Sequence, residues 1–495
     1  MIQWPRRRVS VKLEARGDLW YTECEPLGQA RFLDMRILLI NPKARSLKTT
    51  PAPPLGLMCV AAMVKDRHRV RILDRNIGDQ DLAAVIQAFE PDLIGVSVLT
   101  GPALGDAVAV SRVAKRRGIP IVWGGVHPSI LPEQALSEEY VDFVVIGEGE
   151  RTFEELVHHL EKSGGRFERI QGLGFKKDGT VIINKHRSLI KDLDALPFPA
   201  WDLIDVGLYT KYEIALVTSR GCPHRCRFCY NPALHKRQWR ARSPQSIIKE
   251  IEYIRSLTNS KTRSLKFYDD NFVVDRERLR GLFSLLPKDY DLFLEARVNY
   301  IDREFLRMLA PFRSCHIMTG LESGDQSMLD RMHKDITLDM VHRAFRLFKR
   351  YRIATSACLM VGLPDETYGQ ILKTIRMALK LKPMRYSFCV YSPLPGTDWY
   401  AECLSRGLFQ APATTEGWAR KAFTIRGHNV SRVGTWFLYV INYGFMILSL
   451  PRYFARGRES VFFHKLDDLR VTYASKVRKI FKRSSGVDTD SRTAL

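Results

Sequence analysis

The sequence predicts an α/β protein in two successive parts, a doubly wound (Rossmann-like) parallel sheet and then a partial (β/α)6 barrel, followed by a mostly helical, basic C-terminal region. Three observations carry this. Short apolar runs alternate with helical stretches from Met35 to about Lys162, the alternation restarts after Trp201, and 495 residues exceed what one hydrophobic core serves. Hydrophobic residues make up 45% and charged residues 26%, close to globular averages, which excludes a disordered, collagen-like or disulfide-scaffold chain.

In the first series the runs Ile37 to Ile40, Val70 to Leu73, Leu93 to Val98, Ile119 to Trp123 and Val141 to Ile146 read as strands. Gly56 to Lys65, Asp81 to Phe89, Ala103 to Arg117 and Thr152 to Lys162 read as the helices between them, giving a five-stranded domain over residues 35–162. In such sheets ligands lie beyond the carboxyl ends of the strands, which here carry Ser97, Gly124, Gly125, His127, Gly147 and Glu148. Residues 163–205 hold a Lys177-Asp178-Gly179 turn between strand-like runs and read as a hairpin linker. Residues 1–34 carry no assignable motif and stand as an N-terminal extension.

The second series runs Ile214 to Ser219, Leu265 to Tyr268, Leu292 to Glu295, His316 to Thr319, Ala354 to Met360 and Tyr386 to Tyr391, over residues 206–400. Six strand–helix units suggest a barrel, whose chemistry lies on the loops after the strands. The loop after the first strand holds Cys222, Cys226 and Cys229. Three thiolates at x3 and x2 spacing hold three corners of a [4Fe–4S] cube and leave the fourth iron open to chelation by an amino acid. The competing reading is structural zinc with His224 or His235 as fourth ligand, but zinc sites pair close ligands with a second, distant pair.

With these residues in place the stretch from Met35 to Tyr400 resembles the cobalamin-binding branch of the radical S-adenosylmethionine (SAM) superfamily. The resemblance takes in Phe228 within the cysteine loop, Asp269-Asp270-Asn271, Glu295-Ala296-Arg297, Gly320-Leu321-Glu322, Val361-Gly362-Leu363-Pro364 and Ser392 to Thr397. It implies that Asp269 or Asp270 meets the methionine amino group, that Arg297 and Glu322 meet the carboxylate or ribose, and that backbone near Val361 and Gly362 meets the adenine, with Glu295 in the same cofactor-binding set. Without the resemblance, the Asp-Asp-Asn run reads as a turn or helix cap and Glu322 as an arginine's ion-pair partner.

The first domain resembles the cobalamin-binding fold in Pro54-Leu55-Gly56-Leu57, in Gly124-Gly125-Val126-His127-Pro128 and in Gly147-Glu148-Gly149-Glu150. It departs from the D-x-H-x-x-G form, since Asp66-Arg67-His68 precedes the second strand and has Arg71 in the glycine position. No histidine is therefore expected on cobalt. His127 reads as a contact to the corrinoid's nucleotide tail or as a helix cap. A dinucleotide is the competing ligand, but no G-x-G-x-x-G opens the first helix.

The resemblance implies an enzyme with a [4Fe–4S] cluster, SAM and cobalamin, which cleaves SAM to a 5′-deoxyadenosyl radical for methyl transfer to an unactivated carbon. A cobalamin-using cyclase or rearrangement enzyme is the alternative, and a non-enzymatic cobalamin- or nucleic-acid-binding protein the alternative from another class. A small-molecule substrate and an external electron donor of flavodoxin or ferredoxin type complete the expected partners. Nine cysteines, three in one loop and six scattered, and the absence of an apolar stretch before a cleavage site fit a reducing, cytoplasmic location.

The net charge of +23 is concentrated at the end of the chain, where residues 420–483 hold fourteen Lys/Arg against three acids. Within it, 435–450 is almost wholly apolar but shorter than the roughly 20 residues a membrane span needs. It reads either as a helix buried on the barrel or as an interfacial element in peripheral contact with a membrane, with an apolar or lipid-like substrate. Nucleic acid is disfavoured, because the aromatics lie in an apolar run rather than among basic residues.

Overall fold

A computed structural model describes residues 34–44, 52–78, 80–162, 166–421, 429–441 and 444–445. The expected extension at 1–33 and the basic tail beyond 445 lie outside the described residues.

The first sheet contains β1 (Arg36–Asn41), β2 (Arg69–Asp74), β3 (Leu93–Ser97), β4 (Ile121–Gly124), β5 (Phe143–Val145), β6 (Leu173–Lys177) and β7 (Thr180–Ile183), in the order β2-β1-β3-β4-β5-β6-β7. Strands β1 to β5 are parallel, and β6 and β7 add antiparallel. The sheet therefore has seven strands rather than the five read from the sequence. The hairpin of residues 163–205 does more than link, because β6 pairs with β5 and covers an edge that would otherwise be open. The order reverses at β1 and β3, and a doubly wound sheet opens its ligand crevice at such a reversal. Ile37, Leu38, Leu39 and Ile40 are all buried, as a strand covered on both faces requires.

The second sheet follows β8 (Ile214–Leu216), a two-residue ribbon of β9 (Ser219–Arg220) and β10 (Arg240–Ala241), then β11 (Ser264–Phe267), β12 (Asp291–Glu295), β13 (Ser314–Glu322), β14 (Ala354–Val361) and β15 (Arg385–Val390). Its six parallel strands lie in chain order from β8 to β15, and these two edge strands do not pair, so the barrel is partial. Most of its helices start on a side chain that accepts from the first turn: Ser243, Asp275, Asp302, Asp325, Thr337, Thr367 and Thr397. These caps fix where each strand's loop ends, and so how much chain is left for the mouth.

The two sheets share one apolar core. Polar ties cross between them: Tyr209 Oη donates to Asp74 Oδ2 at 2.7 Å, and Lys65 pairs with Asp202 at 2.7 Å. Beyond the barrel the chain turns back onto the first domain. Its helix Thr415–Lys421 packs on Leu104–Lys115, with an Arg112–Glu416 ion pair. Among the described residues no helix is long and apolar enough to cross a membrane.

Candidate active site between the two sheets

The cysteine loop begins where β8 gives way to β9. Asp269, just past β11, pins its start by accepting from Thr218 N and Thr218 Oγ1, both at 2.6 Å, and from Ser219 Oγ at 2.7 Å. Each of the three thiols then has an N–H donor: Asn271 Nδ2 lies 3.7 Å from Cys222 Sγ, Arg297 Nη1 3.2 Å from Cys226 Sγ, and Asn231 N 3.4 Å from Cys229 Sγ. Among the described residues no three His, Cys, Asp or Glu side chains converge as they would around a single ion. Burial pushes the Cys229 thiol up to about 12 and raises Cys222, so metal must displace the protons as it binds. Three thiols with donors aimed at the sulfurs suit an iron–sulfur cube, whose sulfur ligands are tuned by such hydrogen bonds.

The structure separates the two aspartates that the resemblance left as alternatives. Asp269 is buried and fully engaged by the loop. Asp270 accepts from Gly221 N at 2.9 Å and lines the cleft between the sheets. Arg297 lies on Cys226 and bonds the Lys334 carbonyl, and Glu322 forms a buried ion pair with Lys334 Nζ at 2.6 Å. Glu322 adopts a φ of 64° at the end of β13, a left-handed backbone that a non-glycine residue holds only under constraint. Phe228 has Lys334 Nζ over its ring at 5.7 Å, so the cluster loop, Arg297 and Glu322 meet through one lysine. Gly362 and Leu363 both donate their N–H to Glu366 Oε2, at 2.7 and 3.1 Å, and these amides are thereby spent. Burial raises Glu295, at the end of β12, to about 7, against an opposing pull from Lys266.

A cleft of about 1550 Å³, counting its open mouth, lies between the carboxyl ends of β1, β3, β4 and β5 and the barrel. Ser97, Gly124, Gly125, Gly147 and Glu148 line it, and so do Ser219, Arg220 and Asp270 from the barrel side; Pro54 and His127 do not. A side chain at Gly125 would meet the Val98 carbonyl at 2.9 Å, so only glycine allows that close approach. Gly147 has a φ of 80° with nothing within 4 Å of where a Cβ would stand, leaving bare backbone beside the cleft. A wide, glycine-walled crevice at the reversal of strand order suits a flat macrocycle such as a corrinoid. His127 is buried, with Nδ1 3.0 Å from Thr100 Oγ1 and Nε2 without a partner among the described residues. Burial lowers it to about 4, which keeps the ring neutral.

Sequence reasoning assigned no role to Arg220, Arg240 or Lys334, named His235 only as an alternative zinc ligand, and met Asn271 only as part of the Asp269-Asp270-Asn271 string. The signal for Arg220 was present, since Ser219-Arg220-Gly221 leads directly into Cys222 while Gly147-Glu148-Gly149-Glu150 supplies opposite charge. Only the three-dimensional arrangement shows that these strings meet.

The B12 binding domain family matches residues 49–157 and the Radical SAM superfamily residues 216–378. An uncharacterised methyltransferase of Pyrococcus horikoshii is 31% identical over 391 residues, covering 76% of this chain and 84% of the relative. The anaerobic magnesium-protoporphyrin IX monomethyl ester cyclase of Rubrivivax gelatinosus is 27% identical over 396 residues, covering 74% of this chain and 70% of the relative. The fold is shared with the radical S-adenosylmethionine methyltransferase TsrM from Kitasatospora setae, solved with cobalamin and a [4Fe–4S] cluster, at a TM-score of 0.64 and 19% identity over 77% of this chain and 76% of that one. With both domains matched in order and a relative of this identity aligned over most of its length, the chain belongs to the radical S-adenosylmethionine enzymes that carry a cobalamin-binding domain.

Proposed function

We propose that this enzyme transfers a methyl group from S-adenosylmethionine to an unactivated carbon of a small-molecule substrate held between the two sheets. One observation supports this above the others: a single cleft is walled by the glycine loops of the cobalamin-binding fold and by Ser219, Arg220 and Asp270 beside the cysteine loop. Held by the cysteine loop, a cluster would supply the electron for SAM cleavage, and cobalamin in the cleft would supply the methyl carrier. The chain's own residues bind and orient. Cys222, Cys226 and Cys229 would hold three irons of the cluster, and Asp270 would take the methionine amino group. Asp269 keeps the loop in place, while Arg297 and Asn271 donate to the Sγ atoms of Cys226 and Cys222. Glu295, raised to about 7 chiefly by burial, carries less negative charge into the barrel near neutral pH than an ordinary carboxylate would. Val361 and Gly362 form wall beside the barrel opening. An external flavodoxin- or ferredoxin-type protein supplies electrons.

The finer reading of the partner is an apolar or lipid-like substrate reached from a membrane surface. It is supported by Trp436 and Val440, 76% and 46% exposed on the helix at 435–441, and by the basic sequence that follows.

The test is anaerobic reconstitution with corrinoid analysis, absorbance and EPR, followed by product analysis. Methyl transfer yields both S-adenosylhomocysteine and 5′-deoxyadenosine. Cyclisation, which the cyclase relative favours, yields 5′-deoxyadenosine without S-adenosylhomocysteine. Alanine at Cys222, Cys226 or Cys229 is expected to remove iron and SAM cleavage with the fold retained; full iron and activity in any one variant would contradict the assignment.

A further inference from the structure

Four charges, Glu150 buried and Glu148, Arg220 and Arg240 partly buried, lie where the two cofactor loops meet. Arg220 Nη2 donates to Glu150 Oε1 at 2.5 Å and Nη1 to Glu148 Oε1 at 3.3 Å, while Arg240 Nη1 reaches both oxygens of Glu148 at 2.8 and 2.9 Å. Side-chain exposures are 19% for Arg220, 9% for Glu148, 5% for Glu150 and 8% for Arg240. Both glutamates belong to the first domain, at the start of the helix Glu150–Glu161, and both arginines to the β9–β10 ribbon of the barrel. Moving four charges out of water is costly unless each is paired, and replacing such a set by apolar residues is often neutral or favourable. The set is therefore better explained by the geometry it enforces than by stability.

That geometry is specific. Arg220 stands two residues before Cys222, and Gly221 between them donates its N–H to Asp270 Oδ2 at 2.9 Å. Gly221 has a φ of 83°, and a Cβ there would collide with the Gln238 carbonyl, so the peptide is pressed onto the approach to β10. The backbone entering the cysteine loop is thus held by the barrel through Asp270 and by the first domain through the Arg220 side chain. The other end of the Arg220 link is the loop of Gly147, which lines the cleft. Glu148 is engaged three ways, by Arg220, by Arg240 and by Ile190 N at 2.7 Å, which leaves it as a strut rather than a contact for the corrinoid.

We propose that Arg220 is a positioning residue, which ties Glu148 and Glu150 of the corrinoid-side loop to the peptide carrying Cys222 and so fixes one cofactor's wall against the other's. This deepens the functional reading above and rests on it. The guanidinium fork of Arg220 is spent on the two carboxylates, with Cys59 Sγ 4.0 Å away.

The test compares full-length wild type, Arg220→Gln, Arg220→Lys and the exchanged pair Arg220→Glu with Glu150→Arg, each reconstituted anaerobically with iron, sulfide and hydroxocobalamin. Iron content, the dissociation constant for cobalamin by absorbance titration, and the EPR broadening of cob(II)alamin on reducing the cluster are measured. Arg220→Gln is expected to keep full iron, because the three thiols are untouched, to weaken cobalamin binding on the order of tenfold, the scale of ordinary coupling between sites, and to change the broadening. Arg220→Lys, which keeps the charge without the fork, falls between, and the exchanged pair recovers part of the loss. A purely structural role would lower the melting temperature and leave the cobalamin constant and the broadening as in wild type, which overturns the proposal. Should Arg220→Gln fail to fold, Arg220→Lys decides by the same measurements. A wild type that takes up no corrinoid overturns the functional reading and the proposal together, whereas normal uptake with unchanged Arg220 variants overturns the proposal alone.

Discussion

At the residue scale, the site shows how few of its polar groups are left open for a ligand. Asp269, Glu322 and the amides of Gly362 and Leu363 all fall in strings that resemble cofactor contacts, yet each is engaged within the protein: by Thr218 and Ser219, by Lys334, and by Glu366. The cleft itself is lined by Asp270, Ser97 and glycine backbone, together with Glu148, Arg220 and His235, which are paired within the protein. Glu295 gives a measurable consequence. Its ordinary value of 4.5 is raised to about 7, because burial and the nearby Asp270 and Asp269 oppose its charge more than Lys266 supports it. The native state therefore holds a proton that the unfolded chain releases, and stability falls as pH rises through that window. By pH 8 the loss approaches roughly 3 kcal/mol, since each tenfold difference in proton affinity between the folded and unfolded states is worth about 1.36 kcal/mol. In protein free of cofactors, Glu295→Gln is expected to melt with wild type near pH 5 and above it at pH 8. Equal differences at the two pH values would show that the proton is not held there.

At the element scale, the helix at 435–441 and the helical residues 444–445 have one face buried on the barrel and one exposed. Leu438, Ile441 and Phe445 are buried, with the Phe445 ring 4.3 Å from that of Phe388 and 5.2 Å from that of Tyr386, so one face belongs to the outside of β15. The side chain of Leu438 lies 3.1 Å from where a Cβ of Gly362 would stand, so a helix from the C-terminal region closes the wall at the end of β14. The other face presents Trp436 and Val440, and the helix Tyr368–Leu381 adds Tyr368, Leu372 and Leu379; together they are five of the nine exposed large apolar side chains among the described residues. Truncating Leu438 to alanine is expected to cost about 2 to 5 kcal/mol, the range for a buried leucine. Trp436→Ser is expected to leave the stability within about 0.5 kcal/mol of wild type, as for other surface changes. In flotation with anionic vesicles the full chain should rise, Trp436→Ser should rise less, a truncation before Arg432 should stay down, and high salt should weaken the effect. A full-length chain that remains with the soluble fraction refutes membrane contact and the lipid-like substrate with it.

At the scale of the whole molecule, two sheets with a common core place two cofactor surfaces on one cleft, and the chain from Pro412 to Lys421 straps the barrel's end to the first domain through Gln134, Glu138 and Arg112. The connection after β1, residues 42–54, contains no histidine; His127 does not line the cleft, and His235, which does, is held by Arg240 at 3.0 Å and faces Asp270 at 3.9 Å. Cobalamin is therefore expected to bind with its base off and without protein imidazole, so cob(II)alamin EPR should lack nitrogen superfine coupling from a histidine. The sequence by itself determined the order of strands and helices, the two sheets and the cysteine loop, because periodicity, helix caps and thiol spacing are local and survive without knowledge of what packs on them. It also marked the glycine loops, where a missing side chain is visible in one dimension. Only the tertiary structure decided that the hairpin extends the first sheet, that Asp270 and not Asp269 faces the cleft, that Glu148 and Glu150 meet Arg220, and that the apolar helix covers β15 with one face alone. Each of these depends on which distant partner uses up a charge or a surface, and that competition is settled by packing between segments dozens of residues apart.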